Sequence, residues 1–234
     1  PPPYRLVTLR EIGDAFAHAV RIAPEDGAGT LVLAGRFDLV EFALVLEPDE
    51  ALRTARRTVY AGMAALADAL AVHAPPNKLI QFDWPDVVLV DGALVGGGRL
   101  AWPADAAEDA APAWLVFGAT VRTAVMEPIE PGLHPTSSAL EDEGFEDLGT
   151  GQLVASFARH FLTLLDAWQE RGFSAVAKAY LERLPLEFGL RGAIAENGDL
   201  MLRRAGEADG ERRSLLPRLT EVAWLDRETG GPKL

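Results

Sequence analysis

Apolar residues recur at helical spacing through Ile12, Phe16, Ala19 and Val20, which predicts a helix over 9–23 that stops before Pro24. Two runs rich in β-branched and aromatic residues follow, TLVLAG and FDLVEFALVLEP, and both read as strands. In the second, Phe37, Leu39, Phe42, Leu44 and Leu46 compete for the buried face. Asp49 stands where an N-cap would open a long helix over 50–73. Leu52, Ala55, Val59, Met63, Leu66 and Leu70 mark that helix's apolar stripe. Arg53, Arg56 and Arg57 lie near its start, where the helix dipole disfavours cations, and they read as a solvated face.

The next strand is KLIQFDW. After Trp84–Pro85, VVLV and ALV flank Asp91–Gly92, a strong two-residue hairpin signal. The returning strand then carries Gly96, Gly97 and Gly98 in a row. Strand interiors disfavour glycine, so the run marks either a bend or a close approach to bare backbone. AWLVFGATVRTA is a further buried strand, reached through an alanine-rich polar connector. Residues 126–150 are proline-rich and then acidic, which predicts an irregular loop. Two helices follow. QLVASFARHFLTLLDAWQER aligns Leu153, Phe157, Phe161, Leu164 and Trp168 and stops at Gly172, and AVAKAYLERL starts after Ser174 and ends at Pro185. Beyond it, Asn197–Gly198 and Asp209–Gly210 are turn signals between short strands, so 186–234 reads as a small β module separate from 1–185.

Charge and composition narrow the function classes. The net charge of −13 makes nucleic acid and anionic membranes poor partners. No apolar run approaches the roughly 18 residues a membrane-spanning helix needs. The start, PPPYRLVTLR, lacks the basic-then-apolar order of a signal peptide, and the expectation is a soluble cytoplasmic protein. With no cysteine, disulfides, thiolate metal sites and cysteine nucleophiles are excluded. The four histidines show no metal-ligand spacing, and no metal site is expected. No G-x-S-x-G elbow or phosphate-loop frame occurs.

The order of elements, together with Trp84–Pro85–Asp86, the hairpin, the three glycines and LVFGATVR, resembles the biotin/lipoate protein ligase family. That resemblance implies an α+β fold: a mixed β-sheet packed with helices, plus a small C-terminal antiparallel β-barrel of SH3-like type, with LTEVAW as its closing strand. It also implies a two-step reaction, in which biotin or lipoate attacks ATP with magnesium and the acyl-adenylate passes to a lysine of an acceptor protein. By the same resemblance, Trp84, Asp86, Leu94, Gly96, Gly97, Gly98 and Gly118 fall at ligand-binding positions.

The chain departs from the family pattern at several of them. The arginine- and glycine-rich loop is reduced to Gly35–Arg36, the family lysine falls on Leu94, and the asparagine closing the later strand falls on Arg122. These losses argue against the standard ATP-dependent mechanism. Arg36, Arg99 and Arg122 are the candidate substitute cations. Arg99 is an odd number of residues from Leu94, so it shares that face only if a bulge intervenes. The reading is a divergent ligase-like protein that binds a biotin-, lipoate- or acyl-type carboxylate or its adenylate. If it is active, the expected activity is that of a biotin/lipoate-type protein ligase or an acyltransferase; the alternative is a non-catalytic interaction scaffold that keeps only the fold and contacts a partner protein.

Overall fold

The computed structural model describes residues 4–11, 13–125, 136–145, 148–206 and 209–234. Among these, seven strands make one sheet: β1 (Arg5–Leu9), β2 (Thr30–Gly35), β3 (Leu39–Leu46), β4 (Ile80–Asp83), β5 (Val87–Val90), β6 (Ala93–Ala101) and β7 (Leu115–Arg122). Their order is β1-β2-β3-β7-β6-β5-β4. Only β1 and β2 run parallel, and a parallel pair requires a crossover. Helix α1 (Ala15–Asp26) supplies it and packs on one sheet face, against β2, β3 and β7.

The other face carries the main core. Helix α3 (Thr58–His73) lies there with α4 (Thr150–Arg171) and α5 (Ser174–Leu181). Phe157 is the hub of an aromatic cluster between sheet and helices, stacked with Phe117 and Phe161 and tilted against Phe42. Strands β8 (Leu190–Ile194), β9 (Leu200–Arg204) and β10 (Glu211–Arg213) form a second, antiparallel sheet, followed by helix α6 (Leu215–Thr220). Leu200, Leu202, Leu215 and Leu219 join the same core as α3.

The structure corrects the sequence reading at several points. The second sheet has three strands and, among the described residues, does not close into a barrel. LTEVAW is not its closing strand. α6 takes Leu219 and Thr220 because its buried Leu215 N–H finds the Asp199 carboxylate at 2.9 Å. Leu9 ends a strand rather than opening a helix. α1 starts after Asp14, whose carboxylate accepts the Ala17 N–H at 2.8 Å. Pro24 lies inside its final turn, so the helix runs two residues past the proline expected to stop it. Ile12, about half of the expected loop (126–135 and 146–147) and residues 207–208 lie outside the described residues.

The helix expected over 50–73 breaks in two. α2 (Leu52–Ala55) ends at Arg56, and α3 begins after Arg57. Asp49 caps neither. Arg56 and Arg57 are not a solvated face: Arg56 is buried over the Trp102 ring, and Arg57 lies 4.4 Å from the Phe173 ring centre and 2.7 Å from Glu50. Both charges still stand at the start of α3, and the aromatic faces and the Glu50 carboxylate offset the unfavourable dipole there. α3 is buried on nearly all sides, as its alanine-rich sequence allows.

Candidate functional site: an arginine-lined sheet face under a C-terminal strap

The glycine run is divided between the two faces of the sheet by a bulge. Val88 pairs with Gly96 but Leu89 pairs with Leu94, which leaves Val95 as the extra residue. Leu94, Gly97 and Arg99 therefore share one face, the face that α1 covers further along. Gly96 and Gly98 point the other way. A β-carbon on Gly98 would meet Met63 Sδ at 2.7 Å, and one on Gly96 would run into the β7 backbone. Gly98 thus serves close packing in the main core, and Gly96 the close approach of β7. Trp84 is also on the helical side, buried, with its Nε1 donating to the Tyr60 hydroxyl at 3.0 Å.

On the α1 face, cross-strand pairing sets two rows. Gly97, Thr120 and Glu41 form one, and Arg99, Gly118 and Ala43 the next. Gly118 leaves room for the Phe16 ring, and the Arg99 guanidinium lies 4.3 Å from that ring's centre. Glu41 is buried, and its Oε1 accepts the Ala15 N–H at the start of α1 at 2.8 Å. Burial and the neighbouring Asp14 push the Glu41 carboxyl above its ordinary range, against the opposing pull of Ala15 N–H and Arg99.

Arg99 is the least satisfied cation of this face. Its side chain is only 13% exposed, and its nearest carboxylates, Asp14 and Glu41, are at 3.9 and 3.7 Å. Its Nε is buried with no hydrogen-bond partner among the described residues, and so is Thr120 Oγ1. Burial pulls the Arg99 pKa down, but a guanidinium remains charged.

The rest of the face is covered by the chain's own C-terminus, residues 222–234. Trp224 stands over Gly97, where a β-carbon would come within 2.5 Å of its ring. Its indole Nε1 donates to the Asp86 carboxylate at 3.2 Å, while the Asp86 carbonyl accepts the Gly98 N–H at 2.7 Å. Arg36 forks onto Asp38 at 3.1 and 2.7 Å and also donates to the Thr229 carbonyl at 3.0 Å. Arg122 donates to the Ser137 hydroxyl at 3.1 Å and to the Pro232 carbonyl. Ser137 in turn donates to the Lys233 carbonyl at 2.9 Å.

Between α1 and this strap lies a cleft of about 510 Å³. Phe16, Leu219, Val222 and Leu225 give it apolar walls, and Arg99 lies along it. Its charged lining is Arg36, Arg99 and Arg227 against Glu11, Asp14, Glu41 and Glu228, with no lysine. Only three residues, Arg36 to Asp38, join β2 to β3, too few for a loop that wraps a triphosphate. A triphosphate needs an excess of cations, and this lining does not fit one.

Of the nominated residues, the structure therefore gathers Leu94, Gly97, Arg99, Gly118, Arg36 and Arg122 on one face, with Asp86 at its edge. Trp84, Gly96 and Gly98 lie behind it. Sequence reasoning missed Glu41, Asp14, Phe16, Thr120 and Trp224. Glu41 carried a usable signal, since it is the one acid inside the apolar run LVEFALVL.

Comparison with known proteins gives a consistent fold. The sequence profile of the biotin/lipoate A/B protein ligase family matches residues 1–182. A biotin protein ligase-like protein of unknown function from Silicibacter sp. TM1040 is similar in structure, at 25% identity and a TM-score of 0.75, over 91% of this chain and 95% of that one. Biotin protein ligase from Aquifex aeolicus is similar at 15% identity and a TM-score of 0.64, over 91% of this chain and all of that one. Biotin protein ligase from Leishmania major, in complex with biotin, matches at 15% identity and a TM-score of 0.59, over 92% and 99%. No curated protein sequence matches.

Proposed function

Because the chain belongs to the biotin/lipoate A/B protein ligase family, we propose that it uses the family's sheet face to bind a small carboxylic acid of biotin, lipoate or acyl type, without ATP-driven ligation. The observation that carries this reading is Arg99: a buried guanidinium with an unpartnered Nε, beside a cleft with apolar walls. A carboxylate supplies what that group lacks, two oxygens matched to the guanidinium fork. The apolar walls suit a hydrocarbon body, and the cleft volume is in the range of small-ligand pockets. The cleft's three arginines face four acids, a lining that suits one carboxylate and not a nucleoside triphosphate.

A thermal-shift series with octanoate, lipoate and biotin, with and without Mg-ATP, tests the reading. An acid present at 100 times its dissociation constant stabilises the fold by about 2.7 kcal/mol. The expected result is a shift with at least one acid that Mg-ATP does not enlarge.

One observation favours a second reading, an interaction protein that keeps only the fold. Trp224 already fills the space above Gly97, and no lysine lines the cleft. The absence of any shift at millimolar acid selects that reading.

A further inference from the structure

Two of the three arginines nominated as substitute cations are held by the C-terminal strap. Arg36 donates to the Thr229 carbonyl and Arg122 to the Pro232 carbonyl, with Ser137 adding a bond to the Lys233 carbonyl. The acceptors are main-chain carbonyls three residues apart, on a segment that folds back on itself. Lys233 N–H bonds the Trp224 carbonyl at 2.8 Å, and Asp226 N–H bonds the Gly231 carbonyl at 2.8 Å. Trp224 plugs the glycine gap, and Gly231 rests on Leu39. Beside this cover lie two buried polar atoms without partners, Arg99 Nε and Thr120 Oγ1. An internal packing surface rarely leaves such atoms unsatisfied, because each one costs its full desolvation.

We propose that residues 222–234 are an intramolecular occupant of this face, a strap that opens as a unit and competes with an oxyanion for Arg36 and Arg122. Among the described residues Arg122 holds neutral oxygens, the Ser137 hydroxyl and the Pro232 carbonyl, and Arg36 gives one N–H to the Thr229 carbonyl beside its fork to Asp38; a charged oxygen is a stronger acceptor than either carbonyl. Opening also uncovers the row Gly97–Thr120–Glu41 and extends the cleft beside Arg99. The strap has a natural hinge at Glu221, where α6 ends and the backbone leaves helical geometry. This deepens the acid-binding reading at the same face, yet strap opening is measurable without any acid.

Hydrogen exchange on the full chain tests it. The amides of Asp226, Gly230 and Lys233 are hydrogen-bonded within the strap, and sub-global opening makes them exchange at least about tenfold faster than the amides of β7. Sodium pyrophosphate or octanoate, matched for ionic strength with sodium chloride, speeds strap exchange further. Pyrophosphate acting alone identifies a phosphate ligand, and octanoate acting alone a carboxylate. Arg99→Ala, which removes the proposed acid site, leaves strap opening in place. Strap amides that exchange with the β7 amides, or strap exchange indifferent to both anions, overturn the proposal.

Discussion

The indole nitrogen of Trp224 bonds the carboxylate of Asp86 across 138 positions of sequence, and both side chains are buried. Burial lifts the Asp86 pKa from 3.8 to about 7, although the Trp224 hydrogen bond favours the ionised form. Between those values the folded chain holds a proton that the unfolded chain releases. This one group therefore makes stability fall as pH rises from about 4 to about 7, and contributes no further change above that. The ceiling is roughly 4 kcal/mol. Asp86→Asn removes the titration and keeps an acceptor for Trp224. Denaturant unfolding should show wild type and variant matched near pH 4 and the variant more stable at pH 8. Parallel pH profiles would show that Asp86 titrates normally.

Gly97→Ala places a methyl against the Trp224 ring and the Asp86 carbonyl. The ring must move, and overpacking of this kind costs about 1–3 kcal/mol. Gly92→Ala is the contrast. That position has φ of +86° with nothing within 4 Å, so its cost is backbone strain alone, about 1–2 kcal/mol. Acrylamide quenching of tryptophan fluorescence distinguishes them, because only Gly97→Ala should expose an indole.

Tyr60 couples the Trp84 turn to the β8–β9 turn. Its hydroxyl accepts from Trp84 Nε1 at 3.0 Å and donates to the Gly198 carbonyl at 2.5 Å. Tyr60→Phe leaves both buried partners unpaired, a loss of roughly 2–5 kcal/mol. Equilibrium unfolding should show the loss with a single transition, since α3 and β9 share one core.

Elements with strong local periodicity were legible in the sequence. The Asp91–Gly92 hairpin forms with φ of +48° and +86°, as a type I′ turn demands. The Leu153-to-Leu164 stripe is buried along α4, and β7 is buried throughout. Arg56 and Arg57 were misread because helical spacing alone cannot show that aromatic rings from distant segments, Trp102 and Phe173, lie above them. The site was half legible. Family resemblance led to Gly97, Arg99 and Gly118, but which way each glycine faces depends on the bulge at Val95. The strap was illegible for a related reason. Residues 222–234 acquire meaning only through long-range bonds to Arg36, Asp86 and Arg122.

The central claim is that Arg99 is the anion partner of an acid-binding cleft. Isothermal titration of octanoate into wild type, Arg99→Lys and Arg99→Ala tests it most directly. A charge-assisted pair of bonds is worth about 1.5–3 kcal/mol each, so Arg99→Ala should weaken binding at least about tenfold. Arg99→Lys, which keeps the charge and loses the fork, should fall between. Equal affinity in all three proteins would contradict the account.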